Sequence, residues 1–103
     1  MESENSEQFT VEALAPLSKK RRLLKIEELL RKLLSRLLEV DEAIIKNDTS
    51  FFEIGMVSLT AEQFTKELQD ILGDKYPISA TTTFNYSTIE LLSTHIEKTL
   101  FPT

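Results

Sequence analysis

The chain has 103 residues, a formal net charge of −5 and no cysteine. A chain of this length can build one small domain around a single apolar core. Without cysteine, disulfide bonds, thiolate metal sites and a cysteine nucleophile are excluded. The sequence has no apolar run long enough to cross a bilayer and begins with acidic and polar residues unlike those of a signal peptide, so a cytoplasmic protein is expected.

Charge is segregated along the chain. Residues 1–17 carry four acids and no base, residues 18–36 carry eight bases and two acids, and residues 37–103 carry eleven acids and four bases. A mainly acidic domain repels polyphosphates and anionic lipids and attracts basic protein surfaces. Protein partners are therefore expected, rather than nucleic acid or a membrane. The basic run at residues 19–22 opens an amphipathic helix and is interpreted as a solvated helix face.

The first segment is polar and acidic, has no sustained apolar period and ends near Pro16. These features predict that residues 1–17 form a flexible acidic linker or arm. The domain itself is then expected over residues 18–101, followed by a tail at residues 102–103.

The first helix is predicted from Ser18, taken as its N-cap, to about Leu38. Over this stretch the apolar residues recur at steps of three and four, which is typical of an amphipathic helix. Leu24, Leu29 and Leu38 widen the apolar stripe. A stripe of this width favours packing in a small bundle over a two-stranded coiled coil.

A long loop and a second helix are predicted next. Residues 39–57 contain a polar turn sequence followed by apolar anchors, and loops of this length are usually functional. The second helix is expected from about Ser58 to Leu72, because its apolar residues again recur at helical spacing. Gly73 stands where a helix often ends in a left-handed conformation.

The C-terminal part is predicted to hold one more main helix. Residues 80–84 are few and mostly β-branched, so they predict either a single helical turn or an extended segment. Residues 87–90, Ser-Thr-Ile-Glu, have capping-box spacing and precede an apolar stripe that runs to Leu100. The sequence therefore predicts an all-α fold: a small helical bundle of three main helices plus a short helical turn, with a long loop between the first and second helices.

Ser58 is the residue whose position best suits covalent modification of a side chain. It is expected at the N-terminus of the second helix, three residues after Gly55, whose backbone freedom suits a tight turn. The unpaired amides and positive dipole end of a helix favour a phosphate ester at such a position. The alternative, on spacing alone, is that Ser58 merely caps the helix.

The surroundings of Ser58 resemble a known modification site. Residues 51–61 have the sequence Phe-Phe-Glu-Ile-Gly-Met-Val-Ser-Leu-Thr-Ala. This run resembles the attachment site of polyketide-synthase acyl carrier domains: two aromatics, an acid, an aliphatic, glycine, an aliphatic, then Ser-Leu. Residues 21–40 look like the family's first helix, and residues 76–78 and 83–89 are similar to its later segment. The resemblance covers about residues 20–98.

The resemblance implies a role for Ser58. In such carriers a phosphopantetheinyl transferase joins 4′-phosphopantetheine from coenzyme A to the serine, using magnesium. The arm's thiol then holds polyketide intermediates as thioesters for the ketosynthase, the acyltransferase and other synthase domains. The carrier itself is a non-catalytic monomer, and the sequence likewise assembles no nucleophile, base and orienting group.

The sequence departs from the family at Val57, where the family nearly always has aspartate. Valine cannot accept a hydrogen bond or carry charge, so any recognition by the transferase that uses the aspartate is lost or replaced. The substitution is interpreted as tolerated, and the alternative is a carrier degraded to a scaffold.

In the family, partner enzymes dock on the second helix and the preceding loop. The residues expected to do so here are apolar residues at the start of the helix and the acids around them: Met56, Val57, Leu59, Glu53 and Glu62. His95 and Phe64 are interpreted as structural, Phe64 because it belongs to the apolar stripe of the second helix.

Two other interpretations stay open. A peptidyl carrier domain of non-ribosomal peptide synthesis would be the nearest alternative. An unmodified helical interaction or docking module would account for the leucine-rich first helix and the acidic arm, and would bind its partners independently of Ser58. An enzyme is least supported, because the sequence supplies no catalytic constellation.

Overall fold

The computed structural model describes residues 9–102, and the regular secondary structure of this part is all helical. Five α-helices occur within it: α1 (Val11–Leu14), α2 (Lys19–Leu38), α3 (Ser58–Leu72), α4 (Ala80–Asn85) and α5 (Ile89–Leu100). Short 3₁₀ turns lie at Glu42–Ile44, Phe51–Ile54 and Gly73–Lys75. No strand is present in residues 9–102, so the predicted all-α bundle of three main helices is confirmed. None of the described helices is both long enough and apolar enough to cross a membrane.

α2 begins and ends where its sequence predicts. The Ser18 hydroxyl accepts a hydrogen bond from the Arg21 N–H at 3.3 Å, which satisfies one of the free amides of the first turn. At the other end Glu39 adopts a left-handed conformation with φ of 57°. This turn lets the Val40 N–H donate to the Ser35 carbonyl at 3.1 Å and ends the helix.

The predicted apolar stripe of α2 packs in the core except at Leu23, which is partly exposed, and at Leu24. The inner face buries four residues, Ile26, Leu30, Leu33 and Leu34. Leu24, which was expected to widen this stripe, is instead 52% exposed. Two residues along a helix are about 200° apart around its axis, so Leu24 and Ile26 cannot both face the core.

The core lies between α2, α3 and α5. α2 makes its most extensive contact with α5 and a smaller one with α3. Tyr76, Phe51 and Phe64 are the largest fully buried side chains, and Phe51 meets Phe64 edge to face with 5.9 Å between ring centroids. Each such side chain stabilises the fold by roughly 1.5–3 kcal/mol relative to exposure. The structural role predicted for Phe64 agrees with this burial.

The loop over residues 39–57 is long, as predicted, and is fixed to the helices around it. Ile45 is buried, and the Arg31 side chain donates to its carbonyl at 2.9 Å. The Phe51 N–H donates to the Ser87 carbonyl at 2.8 Å, which ties the loop to the start of α5. Its position relative to α2 and α5 is therefore set by backbone as well as side-chain contacts.

The segment left open between a helical turn and an extended strand is the helix α4. Its approach is fixed by Gln69, whose side-chain amide donates to the Tyr76 carbonyl at 2.9 Å and whose side-chain oxygen accepts from the Ile78 N–H at 2.9 Å. Within α4 the Thr83 hydroxyl donates to the Ala80 carbonyl at 2.6 Å. This bond satisfies a buried hydroxyl that a threonine-rich helix would otherwise leave unpaired.

α5 begins one residue later than the capping-box pattern predicts. Thr88, not Ser87, is the N-cap, and its hydroxyl accepts from the Leu91 N–H at 3.1 Å. Ser87 instead supplies its carbonyl to the loop before α3. The pattern could not distinguish two adjacent hydroxyl residues, since both are good N-caps.

The single histidine packs between two tyrosines on α5. The Tyr76 hydroxyl and His95 Nδ1 are 2.6 Å apart, and the Tyr86 ring stacks on the imidazole with 4.1 Å between centroids. Burial lowers the pKa of His95, and the charge of Lys98 lowers it further. Burial likewise raises the pKa of the Tyr76 phenol. These contacts agree with the structural role assigned to His95.

The predicted arm is a packed segment in the part that the structure describes. Leu14 belongs to the core and is only 2% exposed. Phe9, Val11 and Leu17 are partly buried and pack against the core. Arg22 holds this segment by donating to the carbonyls of Leu14 at 3.1 Å and Ala15 at 3.0 Å. The sequence could not show this, because one buried residue in a four-residue helix establishes no period. Residues 1–8 of the predicted arm lie outside the described residues.

Replacing Leu14 tests whether residues 9–17 belong to the folded unit. Leu14→Ala should lower the free energy of unfolding by about 2–5 kcal/mol, because it opens a cavity in the core. Leu91→Ala, at an exposed position of α5, should change it by less than about 0.5 kcal/mol. Urea unfolding of both variants measures this. If Leu14→Ala changes the free energy of unfolding as little as Leu91→Ala does, the segment is an arm in solution.

The lowered pKa of His95 predicts a pH-dependent stability. An unfolded histidine has a pKa of 6.5, above that of the folded ring, so the unfolded chain binds more protons below this value. The contribution of His95 is therefore fully present above about pH 6.5 and is lost as the pH falls through the folded pKa. His95→Gln should flatten this part of the stability profile, measured by urea midpoints, whereas Thr94→Gln should leave it intact. Parallel profiles for His95→Gln and the unchanged protein would contradict the prediction.

Candidate functional site

The loop before α3 brings the chain from the core to the surface within two residues. Met56 is buried, 3% exposed, and its N–H donates to the Phe51 carbonyl at 3.1 Å. Gly55 precedes it with φ of 111° and ψ of 5°, a conformation that residues with a Cβ rarely adopt. This turn directs the chain outward, so that Ser58 is exposed at the first position of α3.

The Ser58 hydroxyl does not cap the N-terminus of α3, which has no side-chain cap hydrogen bond. Val57 is the N-cap residue, and its side chain has no atom that can accept a hydrogen bond. The Thr60 hydroxyl instead accepts from the Val57 N–H at 2.8 Å and donates to the Val57 carbonyl at 3.0 Å. The alternative that Ser58 serves merely as the cap is therefore wrong.

The environment of Ser58 fits a phosphate ester. The first turn of α3 contains no acidic residue that would repel an anion. The amides of a helix's first turn have no acceptor within the helix, and they lie at the positive end of its dipole. A phosphate on the Ser58 oxygen would face these amides. The site thus presents an exposed hydroxyl at a position that stabilises an attached anion.

Four of the five predicted docking residues lie at the surface. Val57 and Leu59 flank Ser58 and are 60% and 64% exposed, and Glu53 and Glu62 are also exposed. The prediction is wrong for Met56, which lies in the core. Because Met56 and Phe51 are both buried and are joined by a backbone hydrogen bond, Met56 anchors the turn and offers no surface to a partner.

The structure adds an aromatic pair that the sequence did not indicate. Phe52 and Phe84 stack with 5.0 Å between ring centroids and 15° between planes, and both rings are partly exposed. The pair links the turn before Ser58 to α4. Sequence reasoning missed it because the two residues lie in separate elements. A local signal did exist: Phe51 and Phe52 are adjacent in a short turn, and both rings could not enter the core.

The comparisons with known proteins agree with this geometry. A family model described as "Phosphopantetheine attachment site" matches residues 28–96, which include Ser58. The NMR structure of the HMG-ACPI domain from the CurA module of Lyngbya majuscula is similar, with 26% identity, a TM-score of 0.67 and coverage of 76% of this chain and 77% of that one. A free-standing peptidyl carrier protein from an uncharacterized secondary metabolic pathway of Acinetobacter baumannii has 23% identity, a TM-score of 0.66 and coverage of 72% and 90%. At that identity the second likeness shows the fold alone. No curated protein matches the chain significantly.

Proposed function

The chain belongs to the phosphopantetheine attachment-site family, and we propose that it is an acyl carrier domain of a polyketide synthase with Ser58 as its attachment residue. Members of this family are carrier domains that hold 4′-phosphopantetheine covalently on a serine. The observation that carries the proposal is the exposed Ser58 hydroxyl at the first position of α3, where it is not needed as a cap. When attached, the group supplies a thiol that binds acyl groups as thioesters.

Three of the five other serines of the matched region are hydrogen-bonded or buried, which supports the choice of Ser58. The Ser35 hydroxyl donates to the Val40 carbonyl at 2.6 Å, and Ser50 caps a 3₁₀ turn through the Phe52 N–H at 3.2 Å. Ser93 is fully buried. Ser58 combines exposure with the start of a long helix, which is the position that best stabilises a phosphate.

The acyl assignment is favoured over the peptidyl one by the sequence around Ser58. Residues 51–61 resemble the attachment site of polyketide-synthase carriers, and the similar HMG-ACPI domain is itself named as an acyl carrier. The peptidyl carrier likeness is at a lower identity and speaks only for the fold. The partners implied are a phosphopantetheinyl transferase, a ketosynthase, an acyltransferase and other synthase domains, with the isolated domain a monomer.

Docking of these partners is assigned to the surface around Ser58. The exposed side chains of Val57 and Leu59 provide apolar contact, and Glu53 and Glu62 provide charge that suits a basic partner. The stacked pair Phe52–Phe84 extends the apolar part of this surface toward α4. Val57 replaces the carboxylate usual in the family, so apolar contact has a larger share in recognition here.

Loading with coenzyme A tests the attachment residue. Incubation with coenzyme A, magnesium and a broad-specificity phosphopantetheinyl transferase should add one phosphopantetheine to the intact protein, detected by mass spectrometry. Ser58→Ala should abolish the addition, and Ser79→Ala, which changes an exposed serine in the same matched region, should not. Addition to Ser58→Ala would refute the assignment.

Val57→Asp separates a slow carrier from a protein that is not modified at all. The aspartate should raise kcat/KM for loading by about tenfold or more, because a hydrogen bond to a charged group is worth about 1.5–3 kcal/mol. No loading of either form, with both folded by circular dichroism, would favour the unmodified interaction module. Loading followed by acylation with aminoacyl rather than acyl groups would favour the peptidyl carrier.

Charge reversal tests the docking surface. The double variant Glu53→Lys and Glu62→Lys should lower kcat/KM of the transferase several-fold at low ionic strength, and added salt should reduce the difference. Glu42→Lys with Asp74→Lys, two exposed acids in 3₁₀ turns, changes net charge equally and should have little effect. Equal losses in the two double variants would mean that only net charge matters.

A further inference from the structure

The cations of α2 fall into two groups. Three arginines contact other elements: Arg22 pairs with Glu97 at 3.2 Å, Arg31 donates to the Ile45 carbonyl, and Arg36 pairs with Glu67 at 2.5 Å. The remaining five are exposed at the surface: Lys19, Lys20, Arg21, Lys25 and Lys32. Within residues 9–102, the two ion pairs of the structure involve only the first group.

Three cations of the second group lie close to an exposed leucine in the N-terminal part of α2. Lys20 and Arg21 precede Leu24 by four and three residues, which places them beside it on the helix surface, and Lys25 is the next residue, about 100° further round the helix. Two acids, Glu27 and Glu28, lie beside Leu24 on its C-terminal side. Leu24 is the residue of the predicted apolar stripe that faces solvent. Lys20, Arg21, Leu24 and Lys25 together are named the basic face of α2.

Helix stability does not explain this concentration of positive charge. The first turn of α2 has no acid, whereas α1 and α5 carry Glu12 and Glu90 in theirs. Cations at the N-terminal end of a helix are unfavourable because they meet the positive end of its dipole. Of the cations in this turn, Arg22 is offset by its contacts with α1 and α5. Lys20 and Arg21 make no such contact within residues 9–102, so their charges are available to a group outside these residues.

We propose that the basic face of α2 is a second docking surface, for an acidic amphipathic segment of a partner protein. Carboxylates of such a segment would meet the cations, and an apolar side chain would cover Leu24. The net charge of −5 opposes binding of a large polyanion or an anionic membrane. The surface is independent of Ser58, where the exposed charges are acidic.

Titration with a synthetic helix tests this proposal on the full chain. The probe is a peptide helix with a leucine stripe flanked by glutamates, followed by fluorescence anisotropy and by amide chemical shifts. We expect saturable binding, with the largest shifts over residues 20–25. The same peptide with glutamine for glutamate should bind much more weakly. Shifts centred elsewhere, or equal binding of the two peptides, would overturn the proposal.

Charge-matched variants complete the test. The triple variant Lys20→Glu, Arg21→Glu and Lys25→Glu should weaken binding by about tenfold or more, since three favourable pairs become repulsive. A control triple variant at three exposed lysines elsewhere changes net charge equally and should bind almost normally: Lys46→Glu, Lys66→Glu and Lys75→Glu. Equal weakening would show that only net charge acts.

Two further measurements distinguish a protein partner from a membrane or nucleic acid as the ligand of the basic face of α2. Leu24→Ser should weaken peptide binding without changing its salt dependence, and an unchanged affinity would overturn the apolar part of the proposal. Vesicles of phosphatidylcholine with phosphatidylserine, or a DNA duplex, should bind more weakly than the peptide. Tighter binding of either would replace the proposal with a membrane or nucleic-acid surface. The triple variant should keep its melting temperature, because acids suit a helix N-terminus, and should keep loading at Ser58.

Discussion

Two buried side chains on the loop before α3 determine where the candidate site lies. Phe51 packs on Phe64 of α3, and its amide is bonded to the Ser87 carbonyl at the start of α5, so one residue ties the loop to two helices. Met56 is the second anchor, held to the Phe51 carbonyl. With both ends of this short segment in the core, the residues that follow Met56 must emerge. The exposure of Ser58 is thus a consequence of burial next to it.

Three of the four arginines of α2 join it to other elements of the fold, as Phe51 joins the loop to α3 and α5. Arg22 reaches α1 and α5, Arg31 reaches the loop, and Arg36 reaches α3. A planar guanidinium can donate in several directions at once, which suits a residue that joins elements far apart in sequence. The ion pair with Arg22 also offsets the desolvation penalty of Glu97, because this carboxylate is buried and would be strongly unfavourable without a partner. Within residues 9–102 the lysines of the same helix make no comparable link.

The parts of the fold that local rules govern were predictable from sequence. α2 and α3 begin and end where periodicity and capping place them, and Ser58 stands at the helix start that its motif implies. The wrong predictions concern residues whose burial depends on contacts with elements distant in sequence. Leu14 is buried because Arg22 holds its segment against α2. The four residues of α1 are too few to show a period that would predict this burial. Met56 was taken for a surface residue because a loop has no period from which burial can be deduced.

Valine at position 57 changes the electrostatics on both sides of the proposed modification. A phosphate on Ser58 meets the amides of the first turn without a carboxylate at the preceding residue, so the modified state lacks one like-charge repulsion. Recognition before modification loses the same charge. The remaining acids act through solvent, where screening limits their reach to about 10 Å, so a partner must gain more from apolar contact. The exposed Val57 and Leu59 lie on either side of the serine, and under the proposed function burial of these two side chains would be the main physical term in docking at Ser58.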